Sequence, residues 1–309
     1  MVASSILVAP ATLPKAGDSH KESPASFFPH SAMTEFLKIA SLAILQGVAE
    51  FLPVSSSGHL VVVQDLLHLN SPGNTLEIAL HAGTLLSICV FYGASISAIA
   101  GGMLRGRRAA LRYALALFVS MIPCGIAFAV LGDWLEQTFD KPWVVGPMWL
   151  FTAVLMFTLP RSREGEVGDG GPKVAIPPEV PLKAALITGI GQAVAMLPGV
   201  SRSGTTIWVA RRCGLSAKDA ARFSFLMSLP VIGGATLLTL AKLGSETDAA
   251  AAATGTPGWM LAAGATISAV VGYISLAVLM RMLRRGRFWV FGVYCAIVGT
   301  VTTLWYLAH

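Results

Sequence analysis

The chain has 309 residues, of which 54% are hydrophobic and only 12% charged, with a net charge of +6 and a mean hydropathy of +0.69. A soluble domain carries roughly 25% charged residues, so the composition excludes an ordinary soluble enzyme and points to an integral membrane protein. No soluble domain presents a basic face, which excludes a nucleic-acid-binding module.

In chain order, residues 1–33 mix a short apolar start with a polar, Pro- and Ser-containing stretch. They lack the early positive charge and long apolar core of a secretory signal, and read as a disordered extension or as a start placed upstream of Met33. Residues 34–69 are apolar but interrupted from Pro53 to Gly58. Three runs near the roughly 20 residues that cross a hydrocarbon core follow at 75–100, 110–131 and 143–160. A Gly-, Pro- and acid-rich stretch at 161–181 reads as a linker. Residues 182–214 are again apolar with a break, from Pro198 to Gly204, and three more runs follow at 221–241, 258–280 and 288–308. These runs lack the ten-residue alternation of a membrane barrel.

A break inside a lipid-facing helix exposes unpaired backbone groups, so both interrupted regions read as re-entrant helix–loop–helix hairpins surrounded by protein or water. The expected fold is an all-α polytopic membrane protein with six transmembrane helices and two re-entrant hairpins. Repeat 1 spans 34–160 and repeat 2 spans 182–309. The loops at 101–112, 161–181, 211–222 and 281–287 hold 15 of the 22 Lys and Arg residues, whereas 132–142 and 242–257 hold only Lys141 and Lys242. The positive-inside rule makes the first set cytoplasmic and puts both termini outside. The hairpins then enter from opposite sides, which gives an inverted repeat with its broken helices near the midplane.

The breaks carry a duplicated motif. Gln46-Gly-Val-Ala-Glu50-Phe-Leu-Pro-Val-Ser55-Ser56-Ser57-Gly58-His59 matches Gln192-Ala-Val-Ala-Met196-Leu-Pro-Gly-Val-Ser201-Arg202-Ser203-Gly204-Thr205 at a constant offset of 146. Gln46, Val48, Ala49, Val54, Ser55, Ser57 and Gly58 find identical residues, while Glu50 faces Met196, Ser56 faces Arg202 and His59 faces Thr205. Divided chemistry on a duplicated backbone points to one site built from two halves.

The stretch Ser201 to Thr206 has the grammar of an anion site. A Gly-containing turn opens a helix and aims free N–H groups at one point, hydroxyls add donors, and Arg202 adds a fork suited to phosphate oxygens. The alternative is a helix cap with a snorkelling Arg. Arg202 lies outside every basic loop, and a charge at membrane depth costs several kcal/mol unless paired, about 2.5–3.5 kcal/mol on insertion scales. In the first copy, His59 can act as general acid or base. Ser55 or Ser56 is either a nucleophile activated by His59 or a cap. Glu50, on the face of Gln46, is expected to bind a metal, pair with Arg202 or handle protons.

Glu77 and His81, four apart at the start of a span, suit the cavity or the membrane interface equally. Trp134, Trp143, Trp149, Trp259, Trp289 and Trp305 read as an interfacial belt, Pro123 and Pro230 as kinks, and Cys89, Cys124, Cys213 and Cys295 as small buried hydrophobes without disulfide or zinc spacing.

At these residues the sequence resembles the undecaprenyl-diphosphate phosphatases, the BacA-type bacitracin-resistance family. The resemblance rests on Gln46 to His59, on Pro198-Gly-Val-Ser-Arg-Ser-Gly-Thr-Thr206, and on Arg222-Phe-Ser-Phe-Leu running to Pro230, and it covers about 34–308. It implies hydrolysis of a C55 isoprenoid diphosphate to the monophosphate carrier and inorganic phosphate at the bacterial plasma membrane, from a site open to the outer face. A divalent metal, Mg2+ first and Ca2+ or Mn2+ next, is implied at Glu50. The implied catalytic set is Glu50, Ser56, His59 and Arg202. Gln46, Ser55, Ser57, Gly58, Ser201, Ser203, Gly204 and Thr206 are expected to bind substrate. Where the family admits Glu or Gln, this chain has Gln46, which favours Glu50 as sole metal or proton partner. Polyprenyl diphosphate and membrane lipids are the expected partners, and a homodimer stays open. The rival reading is a transporter or flippase for a lipid phosphate or another anion, because broken helices at the midplane also serve transport.

Overall fold

The computed structural model describes residues 29–66, 75–160, 176–245 and 257–308. All regular structure among them is helical: α1 (Pro29–Ala49), α2 (Ser56–Leu66), α3 (Thr75–Phe91), α4 (Gly93–Leu104), α5 (Arg108–Phe139), α6 (Val145–Phe157, entered through a 3-10 turn at Pro142–Val144), α7 (Leu182–Val194), α8 (Arg202–Arg212), α9 (Ala217–Ser245), α10 (Gly258–Arg284) and α11 (Trp289–Ala308). The molecule is an all-α polytopic membrane protein. Its surface inverts the pattern of a soluble helix. On α5, Phe118, Ile122, Ile126 and Val130 form an exposed apolar stripe at four-residue spacing, and Ile297, Val301 and Trp305 do the same on α11.

Helices α5, α10 and α11 are each long and apolar enough to cross a membrane, and α3 with α4 makes a fourth such unit bent by 74°. The run expected at 75–100 is therefore not one straight helix. It breaks at Tyr92, whose backbone (φ −102°, ψ 14°) leaves the helical region just before Gly93. The run at 143–160 is also shorter than expected, with its helical part ending at Phe157. The run at 110–131 is longer, because α5 continues to Phe139 and absorbs most of the loop placed at 132–142. Pro123 and Pro230 interrupt neither α5 nor α9. The basic loops at 101–112, 211–222 and 281–287 contract to short turns, so that Arg108, Arg212, Arg281 and Arg284 sit on helix ends, where long cationic side chains reach an interface.

Helix α1 begins before Met33, so residues 29–33 belong to it rather than to an extension; residues 1–28 lie outside the described residues. Most of the 161–181 linker and residues 246–256 of the 242–257 loop lie outside them too, and residues 242–245 close α9.

The offset of 146 found in the motif also governs the helices. Moved by 146, α2 falls on α8 at both ends, α3–α4, α5 and α6 fall on α9, α10 and α11 to within about five residues, and α1 falls on α7 at its C-terminal end. The packing reciprocates: α1 lies on α10, α7 lies on α5, and α6 packs against its own counterpart α11. Small residues allow these approaches. A Cβ on Gly189 would lie 2.2 Å from the Ser120 carbonyl oxygen, and one on Gly83 would lie 2.2 Å from that of Ala265. Close backbone contact through glycine is how helices associate where no hydrophobic driving force separates them from lipid.

Candidate functional site

The two breaks meet. A Cβ on Gly58 would come within 2.9 Å of the Gly199 Cα, and one on Gly204 would lie 3.1 Å from the Pro53 Cβ. Adding 146 exchanges these two contacts, so the tips touch through a pseudo-two-fold relation. Each tip is locked in the same way. Ser55 Oγ accepts from Gly58 N at 3.3 Å and Ser201 Oγ accepts from Gly204 N at 3.2 Å, the N-cap bond that a helix start demands. Ser55–Ser57 and Ser201–Ser203 hydroxyl pairs both stand at 3.3 Å. Ser55 sits at φ 67°, a left-handed conformation uncommon for a residue with a side chain. Helix α6 supports both tips from one face. Trp149 Nε1 donates to the Val54 carbonyl at 2.7 Å, while Thr152 Oγ1 donates to the Gly199 carbonyl and accepts from Ser201 N, both at 3.1 Å.

Between the tips lies a buried polar cluster centred on Glu50, the first residue past α1. Arg202 Nη2 donates to Glu50 Oε1 at 2.8 Å, across 152 residues of sequence. Ser56 Oγ donates to Glu50 Oε2 at 2.7 Å, and Gln46 Nε2 donates to the same oxygen at 3.2 Å. His81 brings Nε2 to 3.9 Å from that oxygen. Its Nδ1 donates to the Glu77 carbonyl at 2.7 Å, because a carbonyl can only accept; in the neutral ring this leaves the Nε2 lone pair facing the carboxylate. All five residues are buried. Removing one partner of such a buried pair leaves an uncompensated charge and typically costs about 3–5 kcal/mol, so the pair commits the tips to each other.

The structure therefore brings Gln46, Glu50, Ser56 and Arg202 together. The other expected residues build the tips. Ser203 donates to the Leu52 carbonyl at 3.4 Å, and Thr206 donates to the Arg202 carbonyl at 2.8 Å and meets Ser224 at 2.6 Å. These hydroxyls are spent on holding the fold. His59 points elsewhere: its Nδ1 donates to the Ser55 carbonyl at 2.7 Å, and Tyr294 O–H meets its Nε2 at 2.6 Å. The ring packs between Trp149 and Tyr294. The hydroxyl acceptor nearest to Ser56 is thus Glu50, not His59.

Sequence reasoning left four supporting residues unassigned or misassigned. Trp149 is a buried post under the first tip rather than part of an interfacial belt. His81 faces Glu50 rather than the membrane interface. Tyr294, on α11, gave no signal because an aromatic near a span end is ordinary. Gln192 was visible only as the counterpart of Gln46. Of the cysteines, Cys124 and Cys295 are buried, Cys213 is half-buried and Cys89 is exposed on the apolar surface, so the expectation of burial fails for Cys89, where lipid replaces protein as the apolar surroundings.

Three buried polar atoms at the cluster lack a hydrogen-bond partner: Gln46 Oε1, Arg202 Nη1 and Gln192 Nε2. Among the described residues no three His, Cys, Asp or Glu side chains converge as a self-sufficient metal cage. The donor set does fit a cation shared with a substrate. The Glu50 carboxylate, the unpartnered Gln46 Oε1 and the His81 imidazole are the donor types that hold Mg2+ with few protein ligands plus phosphate oxygens.

Comparison with known proteins gives a consistent picture. Residues 39–301 match the family model described as "Bacitracin resistance protein BacA". A protein named undecaprenyl-diphosphatase from Desulfosudis oleivorans is 40% identical over 283 residues, 85% of this chain and 96% of its own. Proteins of the same name from Methanosphaera stadtmanae and Rhodopirellula baltica are 33% and 35% identical, each over 88% of this chain and 98% of theirs.

Proposed function

The chain belongs to the bacitracin resistance protein BacA family, and on that premise we propose that it is a membrane phosphatase that hydrolyses undecaprenyl diphosphate to undecaprenyl phosphate and inorganic phosphate. Such a reaction returns the lipid carrier to cell-wall synthesis and confers bacitracin resistance. The observation that carries the reading is the Arg202–Glu50 bond at 2.8 Å with Ser56 on the other carboxylate oxygen. A guanidinium from one repeat, and an acid already holding a hydroxyl proton from the other, are the parts that a phosphoryl transfer needs.

The proposed chemistry follows from that arrangement. Phosphoryl transfer is mostly positioning and charge stabilisation. Arg202 binds the equatorial oxygens of the terminal phosphate through its free Nη1. Ser56 Oγ attacks the terminal phosphorus while its proton passes to Glu50 Oε2. The bond to the bridging oxygen breaks and the lipid monophosphate leaves. The departing monophosphate takes that proton from Glu50, so the carboxylate is free again. Water then attacks the phosphoseryl phosphorus and gives a proton to Glu50 Oε2, which passes it to Ser56 Oγ as the bond to phosphorus breaks and inorganic phosphate is released. Glu50, Gln46 and His81 would hold a divalent cation, which would neutralise part of the diphosphate charge. His59 and Tyr294 position the first tip rather than move the proton.

The two repeats, 34–160 and 182–309, are taken as inverted in the membrane, with the site reached from the outer face of the plasma membrane and sideways from lipid. The prenyl tail then stays in the bilayer while the headgroup enters between the tips. The test is phosphate release by purified protein in detergent. A hydrolase releases phosphate from a prenyl diphosphate there and loses activity to EDTA. A transporter, which needs two compartments, releases none, and that result overturns the reading.

A further inference from the structure

The duplicated motif contains one substitution whose consequence is visible in the packing. In the first repeat Gln46 Nε2 donates to the acid four residues on, Glu50, at 3.2 Å. In the second repeat the amide is kept as Gln192 but the acid is replaced by Met196, which offers no comparable acceptor. Gln192 Nε2 is accordingly buried without a partner, and its residue is only 4% exposed. An unpaired buried donor of this kind is destabilising, so the amide lacks a structural reason for being there.

Gln192 lines a cavity together with Arg202, Glu50, Met196, Cys124 and Ser228. Arg202, 5% exposed, contributes the second unpartnered donor there, Nη1, since its Nη2 is held by Glu50. Ser228 donates to the Phe225 carbonyl at 2.7 Å and keeps its lone pairs. Two buried donors, one cationic, that share a cavity floored by Cys124 and Met196 define a seat for tetrahedral oxyanion oxygens.

We infer that Gln192 and Arg202 Nη1 form a phosphate seat on the second-repeat side of the cluster, and that Gln192 is a substrate-binding residue for the terminal phosphate. The inference rests on the phosphatase reading for the identity of the anion as a phosphoryl group, but the seat itself is defined by the two donors. Gln192 holds a peripheral oxygen before and after the reaction alike, so its loss weakens ground-state and transition-state binding together, raising KM more than it lowers kcat.

The experiment is calorimetric titration of inorganic phosphate into the full-length protein in detergent, beside prenyl diphosphate kinetics. Wild type is expected to bind phosphate, and Q192L to bind it about tenfold more weakly with a matching rise in KM. M196E is the second variant. It restores the acid four residues after the amide, fills the seat with an internal carboxylate and is expected to abolish phosphate binding while keeping the thermal midpoint. Phosphate bound equally by wild type, Q192L and M196E, or not bound by wild type, overturns the seat. Phosphate binding lost in both variants, with no turnover by wild type, keeps the seat and sinks the phosphatase reading instead.

Discussion

The two halves of the cluster descend from one motif but offer opposite chemistry. The first-repeat side presents acceptors, the Glu50 carboxylate and the unpaired Gln46 Oε1, with His81 Nε2 3.9 Å from the carboxylate. The second-repeat side presents donors: the Arg202 guanidinium and the unpaired Gln192 Nε2. The two tips share their Ser caps and paired Ser hydroxyls, although Ser55 sits at φ 67° where its counterpart Ser201 is extended at φ −73°. Duplication supplied a reciprocal scaffold, and a few substitutions then divided the labour. We propose that a diphosphate with a counter-cation is the ligand whose charges match that division, with phosphate oxygens toward the donors and the cation toward the acceptors.

The strongest way to break this comparison is to remove one side. Arg202→Ala is expected to lower phosphate release by at least about 10³-fold, the upper range for loss of one preorganised donor to a developing oxyanion. It also lowers thermal stability by about 3–5 kcal/mol, because Glu50 is left buried and unpaired. A stable variant with near-normal turnover contradicts the clamp. Ser56→Ala removes the proposed nucleophile and is expected to reduce turnover about 10²-fold or more, the low end for losing a proton transfer to a positioned base. Substantial remaining rate assigns the attack to water polarised by Glu50.

Smaller changes sharpen the comparison. His81→Ala is expected to raise the metal concentration needed for half-maximal activity about tenfold, and to weaken Mn2+ binding measured without substrate. An unchanged Mn2+ affinity removes His81 from the acceptor side. Trp149→Phe keeps the ring under the first tip but deletes its bond to the Val54 carbonyl. The cost is about 1–2 kcal/mol in thermal stability, the net worth of one hydrogen bond with the carbonyl left buried. A neutral result frees α6 from its role as support.

The fold and the site were legible to different depths. Helix positions followed from apolar length, and the 146-residue offset foretold that α2 and α8 share their bounds. The bend at Tyr92 was hidden because an apolar run reads the same whether straight or bent. The extension of α5 to Phe139 was hidden because its last turns, with Asp133 and Glu136, look like a loop by charge. At the site, the approach of Glu50 to Arg202 was readable from the cost of burying either alone. For His59, an imidazole beside three serines suggests activation, and nothing in the sequence signals that its two nitrogens meet Ser55 and Tyr294. His81, Gln192 and Trp149 depend on long-range packing of α3, α7 and α6 onto the tips, and spacing along one helix carries no record of that.

The claim on which the account depends is that groups from the two repeats act as one unit, and a double-mutant cycle on phosphate release tests it most directly. Wild type, Glu50→Gln, Arg202→Met and the double variant are compared in detergent at saturating Mg2+. The account predicts strong non-additivity, with the double variant hardly slower than either single one. Losses that simply multiply, as for two independent residues, contradict it.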